Sequence, residues 1–401
     1  MSVLFFFLFP MMRQLLLLTS LLLTFAPSAR AQQTITGSIR FGGLVRDYRL
    51  YVPKAYDGTR PVPLLLNLHG FGSNASEQEQ YGDFRAIADT ANFLVVHPNG
   101  TVGATGQRFW NTFLPYAAGG PDDVGFLGAL IDSLSAKYRV NQQRLYSTGM
   151  SNGGFMSYEL ACRLNSRIAA IASVTGSMIA SHLDACTPVR AVPVLEIHGT
   201  ADATVPYQGN GNFVPIPDLV AAWAQRNGCN PTPVITQVPN INTTDGSTAE
   251  RQVFSGGRNG SVVEHYRIIG GGHTWPGAPV NIGVTNRDID ASKVVWQFLR
   301  RYQLGGLITA TSAATRPNSA ELLLAPNPAR NQVSIRSTLG PLESGRVRVA
   351  DAAGRTVPAT FRRGTDGGLL LSTAGWAAGS YWLRAEVKGR TLYRQLLKTA
   401  E

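Results

Sequence analysis

Cysteine is scarce: Cys162, Cys186 and Cys229 are the three in 401 residues, and no two stand in a C-x-x-C spacing. A cysteine-built metal centre is thereby excluded. Apolar runs of membrane length are lacking too. The Leu-rich run Leu15 to Phe25 is short, and no later stretch is long enough to span a bilayer. Preceded by Arg13 and followed by Ala29-Arg-Ala31, that run reads as a secretory signal cleaved before Gln32, with translation starting at Met1 or as late as Met11 or Met12. Residues 1–31 are therefore expected to be a leader, and the cysteines to meet an oxidising compartment. A Cys162–Cys186 bridge is the preferred pair, because it would tie the helix after Ser151 to the loop before the next core strand, leaving Cys229 odd.

A concentrated basic surface is the third absence. The net charge is +11, yet residues 32–304 hold 21 Lys and Arg against 19 Asp and Glu, while residues 321–401 hold 12 against 6. The excess is spread along strands without a basic helix or an RNA-binding signature, which argues against a nucleic-acid partner.

What the chain does have is Gly149-Met-Ser-Asn-Gly153 between a short apolar run, Leu145 to Thr148, and a helical pattern from Asn152. G-x-S-x-G on a strand-to-helix turn is a nucleophile elbow: the glycines let the turn close and Ser151 Oγ stands clear of the sheet. The helix beginning at Asn152 would aim its unpaired N–H groups at an oxyanion.

Around this stretch, Thr34 to Phe41 and Leu44 to Val52 alternate about Gly42-Gly43 as a hairpin. Pro63 to His69, Phe93 to His97, Ile168 to Val174, Val192 to His198 and Val262 to Ile269 are buried-strand runs, the last taken as the final strand. Helices are expected over Glu77 to Asn92, from the Asp122-Asp123 cap through Leu134, and near Asp218 to Arg226 and Ser292 to Tyr302. Strands alternating with helices predict an α/β fold with a mainly parallel sheet over residues 32–304, and a site at the strand carboxyl ends. Residues 305–320, opening with Gly305-Gly306 and continuing through an Ala/Thr/Ser run, read as a linker. Residues 321–401, with turns at 353–354, 366–368 and 388–389, read as a small all-β sandwich.

A serine hydroxyl needs a base, and the base an orienting carboxylate. Of six histidines, His69, His97 and His198 end buried strands and His182 and His265 have no supporting context; His273 lies in the glycine-rich loop Gly270 to Pro276, straight after a core strand. Asp202, after the strand ending at His198, gives the order Ser, Asp, His of an α/β-hydrolase. Asp122, Asp123 and Asp218 are better explained at helix starts. The loop His69-Gly-Phe-Gly72 offers the Phe71 N–H as an oxyanion donor beside that of Asn152. Trp110 and Trp275 are expected to wall the substrate pocket, with core packing as the other reading of both.

Leu68-His-Gly-Phe-Gly72, His97-Pro-Asn-Gly100, Phe109-Trp-Asn111, Asp122-Asp-Val-Gly-Phe126, the Ser151 elbow, His198 to Asp202 with Val205-Pro-Tyr207, and Gly272-His-Thr-Trp-Pro-Gly277 together resemble the secreted esterase family that groups short-chain polyhydroxybutyrate depolymerases with feruloyl and acetylxylan esterases. The resemblance covers roughly residues 35–302 and implies Ser151, Asp202 and His273 as a catalytic triad, with Phe71 and Asn152 lining the oxyanion hole. Family members often carry cysteine where Phe71 stands, and often pair a cysteine like Cys229 with one near Gly257. In the tail, Leu324-Ala-Pro-Asn-Pro-Ala329, the Asp-x-x-Gly-Arg of residues 351–355, Gly379-Ser-Tyr-Trp-Leu383 and Leu396-Leu-Lys398 look like a type IX secretion sorting domain, which implies passage across an outer membrane; a polymer-binding module is the alternative.

The expectation is a secreted serine carboxylic-ester hydrolase needing no cofactor or metal. Its substrate would be a polyester such as polyhydroxybutyrate or an esterified plant polysaccharide, and its partner the type IX machinery. A non-catalytic surface binding protein is the competing class.

Overall fold

The computed structural model describes residues 33–113, 120–308, 322–351, 356–364, 367–388 and 390–399. The leader, most of the linker, the Asp-x-x-Gly-Arg stretch after Asp351, and the turns at 353–354, 366 and 389 lie outside the described residues.

The chain divides into two compact units that part after Leu307. The first is built on a ten-stranded sheet: β1 (Gln33–Phe41), β2 (Leu44–Val52), β3 (Val62–Leu68), β4 (Leu94–Pro98), β5 (Val140–Met150), β6 (Ile168–Val174), β7 (Val194–Gly199), β8 (Val234–Gln237), β9 (Thr248–Phe254) and β10 (Val263–Ile269), in the order β1-β2-β4-β3-β5-β6-β7-β10-β9-β8. The six strands from β4 to β10 run parallel, and an antiparallel pair flanks them on each side.

β3, β4, β6 and β7 are buried along their whole length. Their continuous apolar runs follow from helices on both faces. Leu64, Leu66 and Leu68 point into one core with Leu127, Leu130 and Ile131 of α3 (Asp123–Lys137), Tyr158 and Leu160 of α4 (Asn152–Arg163) and Trp223 of α6 (Ile216–Asn227). Leu65, Val95, Tyr146 and Ile197 point into the other with Phe84, Trp275 and, from α7 (Ala291–Leu299), Val295, Trp296 and Leu299. Each fully buried Leu or Val contributes about 1.5–3 kcal/mol, so this two-sided packing carries most of the unit's stability.

The helix expected over Glu77 to Asn92 is two helices, α1 (Ala75–Tyr81) and α2 (Arg85–Ala91). Gly82 breaks it: its N–H closes α1 on Gln78, while its carbonyl is taken by Asn67 Nδ2 of β3 at 2.8 Å. Asp122 caps α3 by accepting the Gly125 N–H, but Asp123 instead turns inward to Arg46 at 2.7 Å. Strands β8 and β9 extend the sheet beyond β10, where no strand was read. The linker starts later than Gly305, because Gly306–Leu307 pairs with Tyr302–Gln303 in a terminal hairpin of the first unit. α5 (Ala180–Ala185) is tied to the end of α4 by a disulfide between Cys162 and Cys186, and Cys229 is a free, half-buried thiol.

The second unit has two antiparallel sheets. One holds β11 (Leu322–Ala325), β12 (Gln332–Ser337), β14 (Phe361–Arg363) and β15 (Leu369–Ser372); the other holds β13 (Val347–Asp351), β16 (Gly379–Val387) and β17 (Arg390–Lys398). Val333, Ile335 and Leu371 of the first share one core with Val349, Leu383 and Leu392 of the second, which makes the unit a sandwich.

Candidate active site

The carboxyl ends of β3, β5 and β10 open onto one cavity, and the loop after β7 supports it from behind through Asp202. At the end of β5, Ser151 adopts φ +54° and ψ −122°, a strained backbone for a residue with a Cβ. Neighbouring strands hold it there. Its N–H donates to Val174 O of β6 at 2.9 Å, and its own carbonyl accepts the Phe155 N–H of α4 at 3.0 Å. A Cβ at Gly153 would lie 2.2 Å from Leu68 O, and one at Gly149 would lie 2.7 Å from that same oxygen, so both flanking glycines are required by the close approach of β3.

His273 and Asp202 come from two loops zipped together by Ala201 N–H to Gly271 O and Gly270 N–H to Thr200 Oγ1, both 2.9 Å. His273 Nδ1 donates to Asp202 Oδ2 at 2.7 Å, while Asp202 Oδ1 accepts the N–H groups of Thr204 at 2.9 Å and Val205 at 2.8 Å. Burial works to raise the Asp202 pKa, but hydrogen bonds from His198 and His273 outweigh it and hold the carboxyl well below the usual range. Asp202 thus stays ionised. Ser151 and His273 line the same cavity, which measures about 510 Å³.

The two expected oxyanion donors flank Ser151. Asn152 is the first residue of α4, so its N–H is one of the helix's unpaired donors. On the other side, a Cβ built at Gly70 would come within 3.4 Å of Ser151 Cβ, which brings the Gly70–Phe71 peptide against the serine. His69 fixes that peptide. Its Nε2 accepts the Gly100 N–H at 2.9 Å, so the proton sits on Nδ1 and is donated to Gly70 O at 2.7 Å. In a trans peptide the N–H points opposite to the carbonyl, so anchoring Gly70 O aims the Phe71 N–H the other way. Burial drives the His69 pKa down to about 4, which keeps the ring in this neutral form.

Neither tryptophan walls the cavity. Trp110 is fully buried, and it braces the site from behind: its Nε1 donates to His69 O at 3.0 Å, its N–H donates to Asn152 Oδ1 at 2.7 Å, and its carbonyl accepts from Asn152 Nδ2 at 3.1 Å. Trp275, 1% exposed, packs edge-on to Phe84 and donates Nε1–H to Ser292 Oγ of α7 at 3.2 Å.

The walls come from residues the motifs do not mark. Phe71, Tyr81, Met150, Pro279, Val280 and Ile282 supply apolar surface; Ser73, Glu77, Gln78 and Gln80 supply the polar side. Phe71, Val280 and Ile282 are more than half exposed, a concentration of bare apolar surface at the cavity rim. Alternating apolar residues in Pro279-Val-Asn-Ile282, straight after the His273 loop and outside any strand, were the available signal. Among the described residues, no group of three or more His, Cys, Asp or Glu side chains is arranged to hold a metal.

Residues 46–206 match the family described as Esterase PHB depolymerase. The chain is 31% identical over 268 residues to feruloyl esterase B of Piromyces equi, across 63% of this chain and 44% of that protein. It is 28% identical over 281 residues to feruloyl esterase C of Emericella nidulans, across 68% of this chain and 90% of that one. The chain therefore spans less than half of the Piromyces protein and nearly all of the Emericella one. Among solved structures, an acetyl xylan esterase from Aspergillus awamori superposes with a TM-score of 0.50 at 15% identity, over 67% of this chain and 99% of that one, a likeness of fold. Taken with the parallel sheet and its serine elbow, these likenesses establish the chain as a carboxylic-ester hydrolase of the α/β-hydrolase fold.

Proposed function

We propose that Ser151, His273 and Asp202 act as a catalytic triad on a polyester substrate of the polyhydroxybutyrate kind. The observation that carries this reading is the cavity itself: Ser151 and His273 open into about 510 Å³ rimmed by exposed Phe71, Val280 and Ile282. Such a rim suits an aliphatic ester presented on a solid or a chain, where apolar contact holds the substrate.

His273 Nε2 takes the Ser151 hydroxyl proton as Oγ bonds to the ester carbonyl carbon, and the negative charge that forms on the carbonyl oxygen is met by the N–H groups of Asn152 and Phe71. The C–O bond to the alcohol breaks, and that alkoxide takes the proton from His273. Water then repeats the sequence on the acyl-serine, His273 removing its proton, and the free acid leaves. Asp202 holds Nδ1–H throughout and stabilises the imidazolium.

Replacing Ser151 with Ala is expected to lower kcat by at least about 10⁴-fold while leaving the thermal midpoint near wild type. Undiminished turnover in that variant would refute the triad. Product release by the full chain from a polyhydroxybutyrate film and from feruloylated arabinoxylan, measured side by side, tests the substrate: 3-hydroxybutyrate units are the expected product. Release of ferulate alone would favour the second reading, an aryl ester of plant polysaccharide, which the names of the two fungal relatives support. The leader-like residues 1–31 and the tail's likeness to a sorting domain support secretion through the type IX route, with the enzyme released or held at the outer surface.

A further inference from the structure

Asp202 is held by two histidines. His198, the last residue but one of β7, is fully buried, and its Nε2 lies 2.8 Å from Val205 O and 3.4 Å from Asp202 Oδ2, the oxygen that His273 also holds. A carbonyl and a carboxylate only accept, so His198 Nε2 carries a proton. Its Nδ1 lies 3.0 Å from Oε1 of Glu196, which stands two residues earlier and so on the same face of the strand. Glu196 is equally buried, and its Oε2 accepts the Tyr158 hydroxyl of α4 at 2.8 Å.

One proton is shared between Glu196 and His198. It can make a neutral acid beside a neutral ring, or a carboxylate beside an imidazolium. Burial opposes the charged pair and raises the Glu196 pKa, while the hydrogen bonds around the two groups favour it. Tyr158 donates to the carboxylate, and burial next to Glu196 pushes its own pKa well up, so it remains a donor. Asp202 supplies a second negative charge on the far side of the ring.

The other titratable neighbours add no competing charge at the pair. His265 of β10 donates Nδ1–H to Glu196 O at 3.2 Å and accepts the Tyr207 hydroxyl on Nε2 at 3.0 Å; burial holds its pKa at about 3, and it is neutral. Tyr207, whose ring centroid is 6.1 Å from that of His198, is kept protonated by burial. Arg267, across from His198 in the β7–β10 register, pairs with Glu250 of β9 at 3.3 Å.

We propose that His198, charged by its contact with buried Glu196, is a positioning residue that shares Asp202 Oδ2 with His273 and so sets the acid limit of ester hydrolysis. Burial alone would lower the His198 pKa, but Asp202 and Glu196 push it up to about 9, in line with a charged ring. A positive charge already on Oδ2 disfavours a second, so ester hydrolysis extends to more acidic pH than a lone Asp–His pair permits. The inference rests on the triad reading above.

The test is the pH profile of kcat/KM on a soluble short-chain ester, measured on the full chain. In His198→Gln and Glu196→Gln the acid limb is expected to move up by about one to two pH units, the order of one unit charge acting at close range inside a protein. A folded His198→Gln with an unmoved limb overturns the proposal, even if its kcat is lower, since a packing defect does not shift a titration. Should both variants fail to fold, nitrogen-15 NMR of the wild-type histidines at neutral pH decides: protons on both ring nitrogens of His198 support it, and a proton on one alone overturns it. Ser151→Ala separates the two readings. Persistent turnover there sinks the triad, whereas an inactive Ser151→Ala beside unmoved acid limbs sinks the role of His198 alone.

Discussion

His69, His97 and His265 are three buried histidines held neutral, with pKa values lowered by burial to about 4, about 4 and about 3. In the unfolded chain each would titrate near 6.5, so between about pH 6.5 and 4 the unfolded state binds more protons than the folded one. Their contribution to stability is complete above about 6.5 and is lost as pH falls, at about 1.4 kcal/mol per histidine per pH unit inside that window. His198 runs the other way: its raised pKa gives stability that is full below about 6.5 and fades as pH climbs towards 9. The depressed carboxyl of Asp202 matters only below about 3.9, outside the window. The thermal midpoint is therefore expected to fall steadily from about pH 7 to 4. His97→Phe should flatten that slope by removing one of these titrating groups, and among the described residues neither ring nitrogen of His97 has a hydrogen bond to lose. A midpoint that does not change between these pH values would contradict the account. At this scale the placing of Ser151, Asp202 and His273 at one site was legible because turn chemistry and chain order constrain them. That of Trp110 and Trp275 was not, because a sequence names a ring without saying which way it faces. Glu196 escaped for a similar reason: it sits inside an apolar strand run, and only the pairing of β7 with its neighbours shows what it touches.

The helices and strands around the site are fastened by one cross-link and leave room for another. Cys162–Cys186 closes a loop with a sequence separation of 24, worth about 3.5 kcal/mol on the chain-entropy account. Cys229 follows α6, and a Cβ built at Gly257 lies 2.8 Å from its Sγ, within disulfide reach. Gly257→Cys is expected to oxidise onto Cys229, leaving no titratable thiol in the unreduced protein; a chain that still shows two free thiols would refute this. The net gain should fall short of the roughly 3.5 kcal/mol that the loop length suggests, since the same Cβ meets Ser261 O at 2.6 Å. The elements themselves were legible where burial was strongest. β3, β4, β6 and β7 announce themselves as unbroken apolar runs because both faces are covered. β8 does not, since all four of its residues are exposed and leave no periodic signal. The break between α1 and α2 was hidden because it depends on Asn67 capturing Gly82 O, a partner 15 residues away.

As a whole the molecule is two units, each with a hydrophobic core of its own. Deleting residues 308–401 should therefore leave specific esterase activity within about twofold of the full chain, since the described residues that line the cavity belong to the first unit. If the tail is a sorting signal, the same deletion should keep that activity inside the cell envelope; normal release of the truncated enzyme into the medium would contradict the secretory role. The boundary was visible as a change from alternating strands and helices to short strands alone, though not to the residue, because the closing hairpin at Tyr302–Leu307 is built from glycines that also read as linker. Among the described residues β8 is the edge strand, with Val234 and Ile235 more than half exposed, the kind of edge on which a second copy could add a strand. It is four residues long and follows Pro231 and Pro233, which have no N–H to offer. A recruited strand would find only a few backbone partners before the ladder ended, which makes this edge a poor template for strand-by-strand growth.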